Sequence, residues 1–566
     1  MRLTRFTSSY PFILLLTSFL LIAFLRVIDD SDIWFHLSFG REILNHGIPD
    51  REFLVFTRFG ESADYNSWGF GSIYFLIWEM FGSAGMALAN ASLGAATLIM
   101  LATALRYNSR SYSLPVVCLA ITLTYIWLEF RYVYRPETVL YLATASAIVL
   151  LERYLRDYSI RWLWPIPLLS LLVTLFHPSA IILIGITGLY AAQALWQQRQ
   201  NKTRLQQLLK AQSLILVAAI AMACANPLGY EQLIMPVRFT LGSSVTPGIT
   251  EFLPALETEY RYHFISLAIL ALVAILYRRP FRPLDLVLYC LFCYLAFKHV
   301  RNIPLLAIIS FVPLSSFLQR LWVTTGTWLP GKQSLKGTAM ILLCAATILL
   351  TTANTKLWGM GKKHGCCPTA SANLIHEHKP RGRLLNFYDL GNYLGWALRG
   401  EYPVFIDGRN NIASRGYGMH NHIFRADTGW QQLLNLYDIR TIITRATLDY
   451  SGTLIPLVEI LANQDQWQLV AAEPAGLTFI HEKERSILDV PPIKDPTVIW
   501  KQVLLETDIT LENNPQSADI YRSRSIAYLH LNEEKLARQS YLLFKSLGGT
   551  DPQLDRKLTA EKPQSD

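Results

Sequence analysis

The sequence predicts an α-helical polytopic membrane domain followed by a small α/β domain and a helical C-terminal segment. Three observations predict it. The 566 residues are 52% hydrophobic and only 16% charged, where a soluble domain is roughly a quarter charged. The deficit is uneven, because 1–353 is dominated by long apolar runs and 354–566 reads as an ordinary soluble chain. Within that second part, 381–482 alternates strand-like and helix-like stretches in an α/β domain at 354–490, and 497–548 reads as two or three helices in a C-terminal segment at 491–566.

A hydrocarbon core about 30 Å thick needs about 20 helical residues, fewer if the ends snorkel. Apolar runs suited to this fall at 10–28, 84–105, 114–129, 136–151, 162–176, 179–196, 211–225, 262–277, 283–298, 301–318 and 337–353, eleven in all. The first runs straight into Asp29-Asp30-Ser31-Asp32, with no small-residue cleavage site after Leu25, so it reads as a retained span. Basic residues recur in alternate loops: Arg2 and Arg5; Arg106 and Arg110; Arg153, Arg156 and Arg161; Arg199, Lys202, Arg204 and Lys210; Arg278, Arg279 and Arg282; Arg320, Lys332 and Lys336. The positive-inside rule makes that face cytoplasmic, N-terminus included, and an odd number of spans puts 354–566 outside. The same pattern accounts for the net charge of +9 without a nucleic-acid partner.

Of seven cysteines, Cys118, Cys224, Cys290, Cys293 and Cys344 lie in apolar runs, where a thiol packs as a small hydrophobe. Cys290 and Cys293 have C-x-x-C spacing but no second ligand pair. Cys366-Cys367 is either a strained vicinal disulfide or two free thiols.

The loops of the opposite face hold Asp29, Asp30, Asp32, His36 and Arg41; Glu129, Arg131, Arg135 and Glu137; His177; Asn226, Glu251, Glu257 and Glu259; and His299, Arg301 and Asn302. Singly, these read as interfacial anchors and caps. As a set on one face they point to function, because ionisable groups at membrane depth are costly. The outer loop 29–82 carries most information. Ile33, Leu37, Ile43 and Leu44 recur at helical spacing, which places the acidic cluster at a helix N-terminus with Asp32 as its N-cap. Capping does not explain three carboxylates in four residues, which repel unless a cation, a proton or a substrate group compensates. Gly47-Ile48-Pro49 ends the helix, and a second amphipathic segment, 72–81, lies along the interface.

This arrangement resembles the GT-C class of membrane glycosyltransferases, in which a first span leads into an acidic motif. Asp32, Trp34, Phe35, Arg41-Glu42-Ile43-Leu44 and Gly47 match the order seen in aminoarabinose- and protein-mannosyltransferase-like members. Asp30-Ser31-Asp32-Ile33-Trp34-Phe35-His36-Leu37-Ser38-Phe39-Gly40 is similar to the D-x-D-x-W-W-H-L-x-x-G pattern of a bacterial branch, with Phe35 for its second Trp. Asn66-Ser67-Trp68-Gly69 stands where that branch tends to have His-Glu-Trp-Leu, which puts a second catalytic carboxylate in doubt. Arg135-Pro136, His177-Pro178, Asn226-Pro227, Arg301-Asn302 and Asp407-Gly408-Arg409 follow in that branch's order, so the resemblance covers about 1–450. It implies a GT-C-like fold in a bacterial inner membrane. It also implies a polyprenyl-phosphate-linked sugar as donor, and a glycan, lipid or protein as acceptor at the non-cytoplasmic face.

That chemistry needs a base for the acceptor hydroxyl and cations for the departing phosphate. A carboxylate suits the first task and an arginine fork the second. Asp32 is the first candidate for the base, with Asp30 and Asp29 behind it. Arg131, Arg135 and Arg301 are candidates for the phosphate. Trp34, His36, Arg41, His177 and His299 are candidates for binding the substrate. Asp30 and Asp32 can also hold a divalent cation through carboxylate oxygens.

In the outer part, 383–387, 404–406 and 441–444 read as buried strands, 430–436 as a helix, and 468–472 with 477–481 as a hairpin. Asp407-Gly408-Arg409 reads equally as a tight turn and as a substrate-facing group. No Walker or dinucleotide fingerprint occurs, so a soluble nucleotide-sugar donor is not supported. Asn514-Pro515, Ala518, Tyr521, Ala527, Tyr528, Leu529 and Ala537 resemble one tetratricopeptide repeat. A lone repeat must pack on the α/β domain or on a protein partner. The last dozen residues are polar and predict disorder. Two readings compete with a glycosyltransferase: a polymerase or ligase of lipid-linked glycans, and a non-enzymatic transporter or assembly factor. The acidic loop right after the first span argues against the former. The lack of paired Gly/Pro-broken helices argues against a transporter.

Overall fold

The computed structural model describes residues 10–63, 65–108, 111–241, 250–278, 281–328, 333–409 and 414–559. Arg2, Arg5, Arg110, Arg279 and Lys332, used above for orientation, lie outside the described residues. The chain divides into two compact units: 1–48 with 64–362, and 49–63 with 363–566.

The first unit is helical: α1 (Tyr10–Ala23), α2 (Asp32–His46), α3 (Trp68–Ala104), α4 (Leu114–Glu129), α5 (Glu137–Asp157), α6 (Pro165–Phe176), α7 (Ala180–Gln197), α8 (Lys202–Ala223), α9 (Tyr230–Leu241), α10 (Arg261–Tyr277), α11 (Pro283–Lys298), α12 (Ile303–Trp328) and α13 (Gln333–Asn354). Among the described residues, six helices are long and apolar enough to cross a membrane: those in Trp68–Tyr107, Glu137–Asp157, Ala180–Gln197, Lys202–Ala223, Val300–Thr325 and Leu335–Asn354. Shorter apolar helices cover Ile13–Ala23, Leu114–Glu129, Ile160–Phe176 and Arg261–Tyr277. Large apolar side chains such as Leu214 and Val217 on α8 and Leu342 and Leu350 on α13 are exposed. That suits a multi-pass protein whose solvent is hydrocarbon. Helix α9 was not anticipated, because its run is interrupted by Glu231, Arg238 and the internal Pro236.

In α3, Gly82 leaves the helical region at φ 59° and separates 68–81 from the long apolar stretch. The first half of α2 is buried from Ile33 to Gly40 apart from Phe35, and it packs on the start of α3. The two backbones touch: a Cβ on Gly40 would lie 2.1 Å from the Gly71 carbonyl oxygen. Asp32 is the first residue of α2 rather than its N-cap. The Asp30 carboxylate does that work from two residues upstream, accepting the Asp32 N–H at 3.0 Å. At the opposite helix ends a second network is buried. Arg282 lies 2.7 Å from both Glu152 and Asp285, Arg278 pairs with Asp285, and the Tyr190 hydroxyl donates to Glu152 at 2.8 Å. Two arginines of the topology signal are thus internal ion pairs.

The second unit contains α14 (Thr369–His378), β1 (Arg383–Asn386), α15 (Gly391–Ala397), α16 (Arg415–Phe424), α17 (Trp430–Leu436), β2 (Ile439–Thr444), α18 (Pro456–Leu461), β3 (Trp467–Glu473), β4 (Gly476–His481) and α19 (Glu482–Leu488). The four-stranded sheet has the order β1-β2-β4-β3, with β1 and β2 parallel and the other pairs antiparallel. Gly476 lets the start of β4 lie close against the end of its neighbour β2: a Cβ there would lie 2.5 Å from the Thr444 carbonyl oxygen.

Residues 404–406 do not join the sheet. Asn386 imitates a neighbouring strand with its side chain, accepting from Phe405 N at 2.9 Å and donating to Ile406 O at 2.8 Å. Val404 pairs instead with Val55, in the segment between α2 and α3. In the same segment the Glu52 carboxylate accepts N–H groups of Phe53, Leu54 and Val55 and meets Arg409 at 2.9 and 3.0 Å. Arg409 also holds Asp407, so Asp407-Gly408-Arg409 is part of a buried structural tie. Cys366 and Cys367 form a vicinal disulfide.

Helices α20 (Thr497–Asn513), α21 (Ala518–His530), α22 (Glu534–Ser546) and α23 (Pro552–Thr559) follow. Buried Glu506 of α20 accepts the N–H groups of Ala446 and Thr447, and Ser523 of α21 receives Leu454 N, which fixes these helices to the loop after β2. Helix α23 corrects the expectation of disorder up to Thr559, because Leu554 and Leu558 are buried.

Candidate functional site

Charged residues from several interhelical loops assemble around the guanidinium of Arg135, between α4 and α5. Its Nε donates to Asp30 Oδ2 at 2.5 Å, its Nη2 lies 3.0 Å from Asp32 Oδ2, and its Nη1 donates to Glu251 Oε2. Glu251 is shared. Arg131 Nη1 reaches its Oε2 at 3.1 Å, and Arg301 Nη1 lies 3.7 Å from its Oε1. Arg131 also pairs with Glu137 through Nη2. Three arginines therefore face four carboxylates, and full ionisation would leave one net negative charge.

That surplus falls on Asp32. Burial raises its carboxyl to about 7 against the pull of Arg135, and Asp30 and Glu251 push the same way. Asp30 is held below its ordinary value because Arg135, the Asp32 N–H and Arg131 together outweigh its burial. Glu251, buried as well, is held down at about 2 by Arg135, Arg131 and Arg301. One acid that accepts a proton near neutrality beside two that stay ionised is a working arrangement for proton transfer. The Asp32 side chain is 29% exposed.

The other sequence candidates are placed as follows. Asp29 turns away to Arg26, which holds it at 2.9 Å and also meets Glu129 at 3.3 Å. Trp34 is buried edge-on against Trp78, with ring centroids 5.5 Å apart. His36 is buried, with Nδ1 2.8 Å from the Tyr65 hydroxyl and its ring against Phe70. Both sit in the packing of α2 on α3. Arg41 lies on the part of α2 that is half-buried. His177 follows α6. Burial keeps its imidazole neutral, lowering it to about 4, and Glu137, Arg301, Glu251 and Arg131 all act on it. His299 Nδ1 faces the Phe252 carbonyl at 2.8 Å, and Arg301 stacks over the Phe252 ring at 4.8 Å. Three buried polar atoms in this region have no partner: Arg131 Nε, His177 Nδ1 and His299 Nε2.

The structure thus brings together Asp30, Asp32, Arg131, Arg135 and Arg301, with His177 in electrostatic range, and sets Asp29, Trp34 and His36 apart. Glu251 and Arg26 were not singled out as site residues. Nothing in the sequence separates Glu251 from Glu257 and Glu259 in the same loop, and Arg26 closes an apolar run, as many anchors do.

A cation on Asp30 and Asp32 does not fit this arrangement, because the Arg135 guanidinium already stands between both carboxylates. Among the described residues, no group of three or more His, Cys, Asp or Glu is arranged to hold a metal ion.

No protein-family model and no characterised protein sequence matches the chain. Solved structures do. The oligosaccharyltransferase AglB from Archaeoglobus fulgidus, in complex with an inhibitory peptide and a dolichol-phosphate, superposes with a TM-score of 0.57 and 12% identity, over 89% of this chain and 77% of that one. The apo form of the Archaeoglobus fulgidus oligosaccharyltransferase gives 0.58 and 11%, over 94% and 87%. The arabinofuranosyltransferase AftD from Mycobacteria gives 0.52 and 15%, over 84% of this chain and 40% of that one. At such identities the likeness is one of fold, and the fold is that of the GT-C membrane glycosyltransferases.

Proposed function

We propose that this chain is a membrane glycosyltransferase. It moves a sugar from a polyprenyl-phosphate donor to an acceptor at the non-cytoplasmic face, with its N-terminus in the cytoplasm and residues 354–566 outside. The observation that carries the reading is the cluster itself: a raised carboxyl at Asp32 within 3.0 Å of Arg135, with Arg131 and Arg301 on the same Glu251. Such a cluster is expensive to bury and packing does not require it.

In the proposed reaction Asp32 takes the proton of the acceptor hydroxyl. The oxygen bonds to the anomeric carbon, the bond from that carbon to the phosphate oxygen breaks, and the polyprenyl phosphate leaves with the electron pair. Arg131, Arg135 and Arg301 neutralise it. Planar guanidiniums suit a phosphate because they present paired N–H groups to its oxygens. His177 and His299, each with a buried ring nitrogen that has no partner, bind sugar hydroxyls in this reading.

The test is the lipid-linked glycan profile of a strain lacking the gene. Loss of one glycosylated product, with its unmodified acceptor and a polyprenyl-phosphate sugar accumulating, supports the proposal. An unchanged profile in a strain that expresses the protein under the same conditions rejects it.

A further inference from the structure

Glu251 is the least expected member of the cluster. It is an internal anion with three arginines on it: Arg131 at 3.1 Å, Arg301 at 3.7 Å, and Arg135 in direct contact. Its side chain is 18% exposed, and it sits on a short turn, 250–252, in the connection before α10. Three forked cations around two carboxylate oxygens are the arrangement that a phosphate group would take. Buried Arg131 has donor capacity left over, since its Nε has no partner. A carboxylate offers two acceptor oxygens, as the phosphodiester of the donor does, while the polyprenyl phosphate released from it is a monoester with three and more charge. The site is thus satisfied by Glu251 only in part.

We infer that Glu251 is a stand-in for the lipid phosphate: it holds Arg131, Arg135 and Arg301 together in the empty enzyme and is displaced when that phosphate binds, as the diester of the donor or as the monoester released from it. This rests on the proposed glycosyltransferase reading and adds a residue to it. Displacement has two consequences. The incoming phosphate must compete with a tethered anion, so the donor's apparent affinity is reduced by the fraction of enzyme in which Glu251 occupies the arginines. Removal of Glu251 also takes a negative charge away from Asp32, on which it acts directly. Glu251 is therefore a positioning residue, and Asp32 remains the proton acceptor.

The test uses the full chain in nanodiscs and two probes, farnesyl phosphate and inorganic phosphate. Glu251→Gln should bind farnesyl phosphate about tenfold more tightly than the wild type if the carboxylate occupies the arginines nine-tenths of the time. Glu251→Asp, whose carboxylate is withdrawn by one methylene, should fall between the two and serves if the glutamine variant does not fold. Tightening with farnesyl phosphate and not with inorganic phosphate means that the prenyl chain is part of the site. Equal tightening with both means that the phosphate alone is recognised; each result upholds the stand-in. Unchanged or weaker binding in both variants overturns it. Arg301→Gln and Arg131→Gln separate the two levels. If they bind farnesyl phosphate as the wild type does, the phosphate role of the arginines fails. If they lose it while Glu251→Gln gains nothing, only the stand-in fails.

Discussion

Asp32→Asn removes a charge and keeps the shape, so it separates chemistry from folding at the centre of the cluster. The wild-type carboxyl is raised from its ordinary 3.8 to about 7, first by burial and then by Asp30 and Glu251, against Arg135. At about 1.4 kcal/mol per pH unit, ionising it costs the folded chain up to ~4 kcal/mol. The 29% exposure of the side chain screens part of this and leaves ~2 kcal/mol. Because the folded value lies above the unfolded one, the folded protein binds more protons between them. Wild-type stability therefore falls as pH rises from about 4 to about 7 and is level above. The variant has no such group and should melt at higher temperature than the wild type at pH 8, with the gap closing at pH 4. Its transfer rate should move the other way. Loss of a general base typically costs about 10² to 10⁴ in rate, and wild-type activity should rise with pH through about 7 as Asp32 ionises. Sugar transfer in proteoliposomes across pH 5–9, beside thermal melts in nanodiscs, reads both quantities. A folded variant with wild-type transfer would end Asp32's role as base, and a wild-type acid limb near 4 would end the account of its environment.

Arg135→Gln should abolish transfer and lower expression, because it leaves Asp30, Asp32 and Glu251 without their shared partner; yield and product formation check it. Arg409→Met takes the nearest cation from the fully buried Glu52 carboxylate, leaving it Arg58 at 3.7 Å and three backbone N–H groups, and should cost up to about 3–5 kcal/mol. Adding Glu52→Leu should recover part of that, as read by limited proteolysis of the full chain. Gly40→Ala drives a methyl into the Gly71 carbonyl at 2.1 Å and should remove the protein from the membrane fraction at 37 °C. Reporter fusions after residue 360 should be active only outside the cytoplasm; cytoplasmic activity would reverse the assignment of every loop.

The apolar runs were legible as helices because uninterrupted apolar stretches ended by Pro, Gly or charged residues mark their bounds. Leu114–Glu129 and Pro283–Lys298 fall on the expected residues. Trp430–Leu436 and the hairpin through Pro474-Ala475-Gly476 were legible for local reasons, helical spacing and a glycine turn. Illegible were the features that depend on partners far away in sequence. Residues 404–406 look like a strand because they are apolar and β-branched at Val404 and Ile406. They are denied the sheet because the side-chain amide of Asn386, about twenty positions earlier, already fills their ladder bonds. Likewise 49–63 reads as a loop of the membrane part, yet it folds with the second unit through Glu52 and Arg409, 357 positions apart.

The acidic cluster shows the same limit in its sharpest form. Three carboxylates in four residues demand compensation, and the sequence says that much. It does not say which cations supply it, and the answer divides the cluster. Arg26, three positions before Asp29, takes that residue; Arg135, more than a hundred positions after Asp30, takes Asp30 and Asp32 together with Glu251. One arginine cannot fully satisfy three carboxylates. The strain of that shortage settles on Asp32, the one acid of the three left able to take a proton near neutral pH. Choosing among Asp29, Asp30 and Asp32 by sequence was a choice among near-equivalent neighbours. Arg26 separates Asp29 from the other two, and what separates Asp30 from Asp32 is that Arg135 and the Asp32 N–H donate to Asp30 while Asp30 and Glu251 push on Asp32.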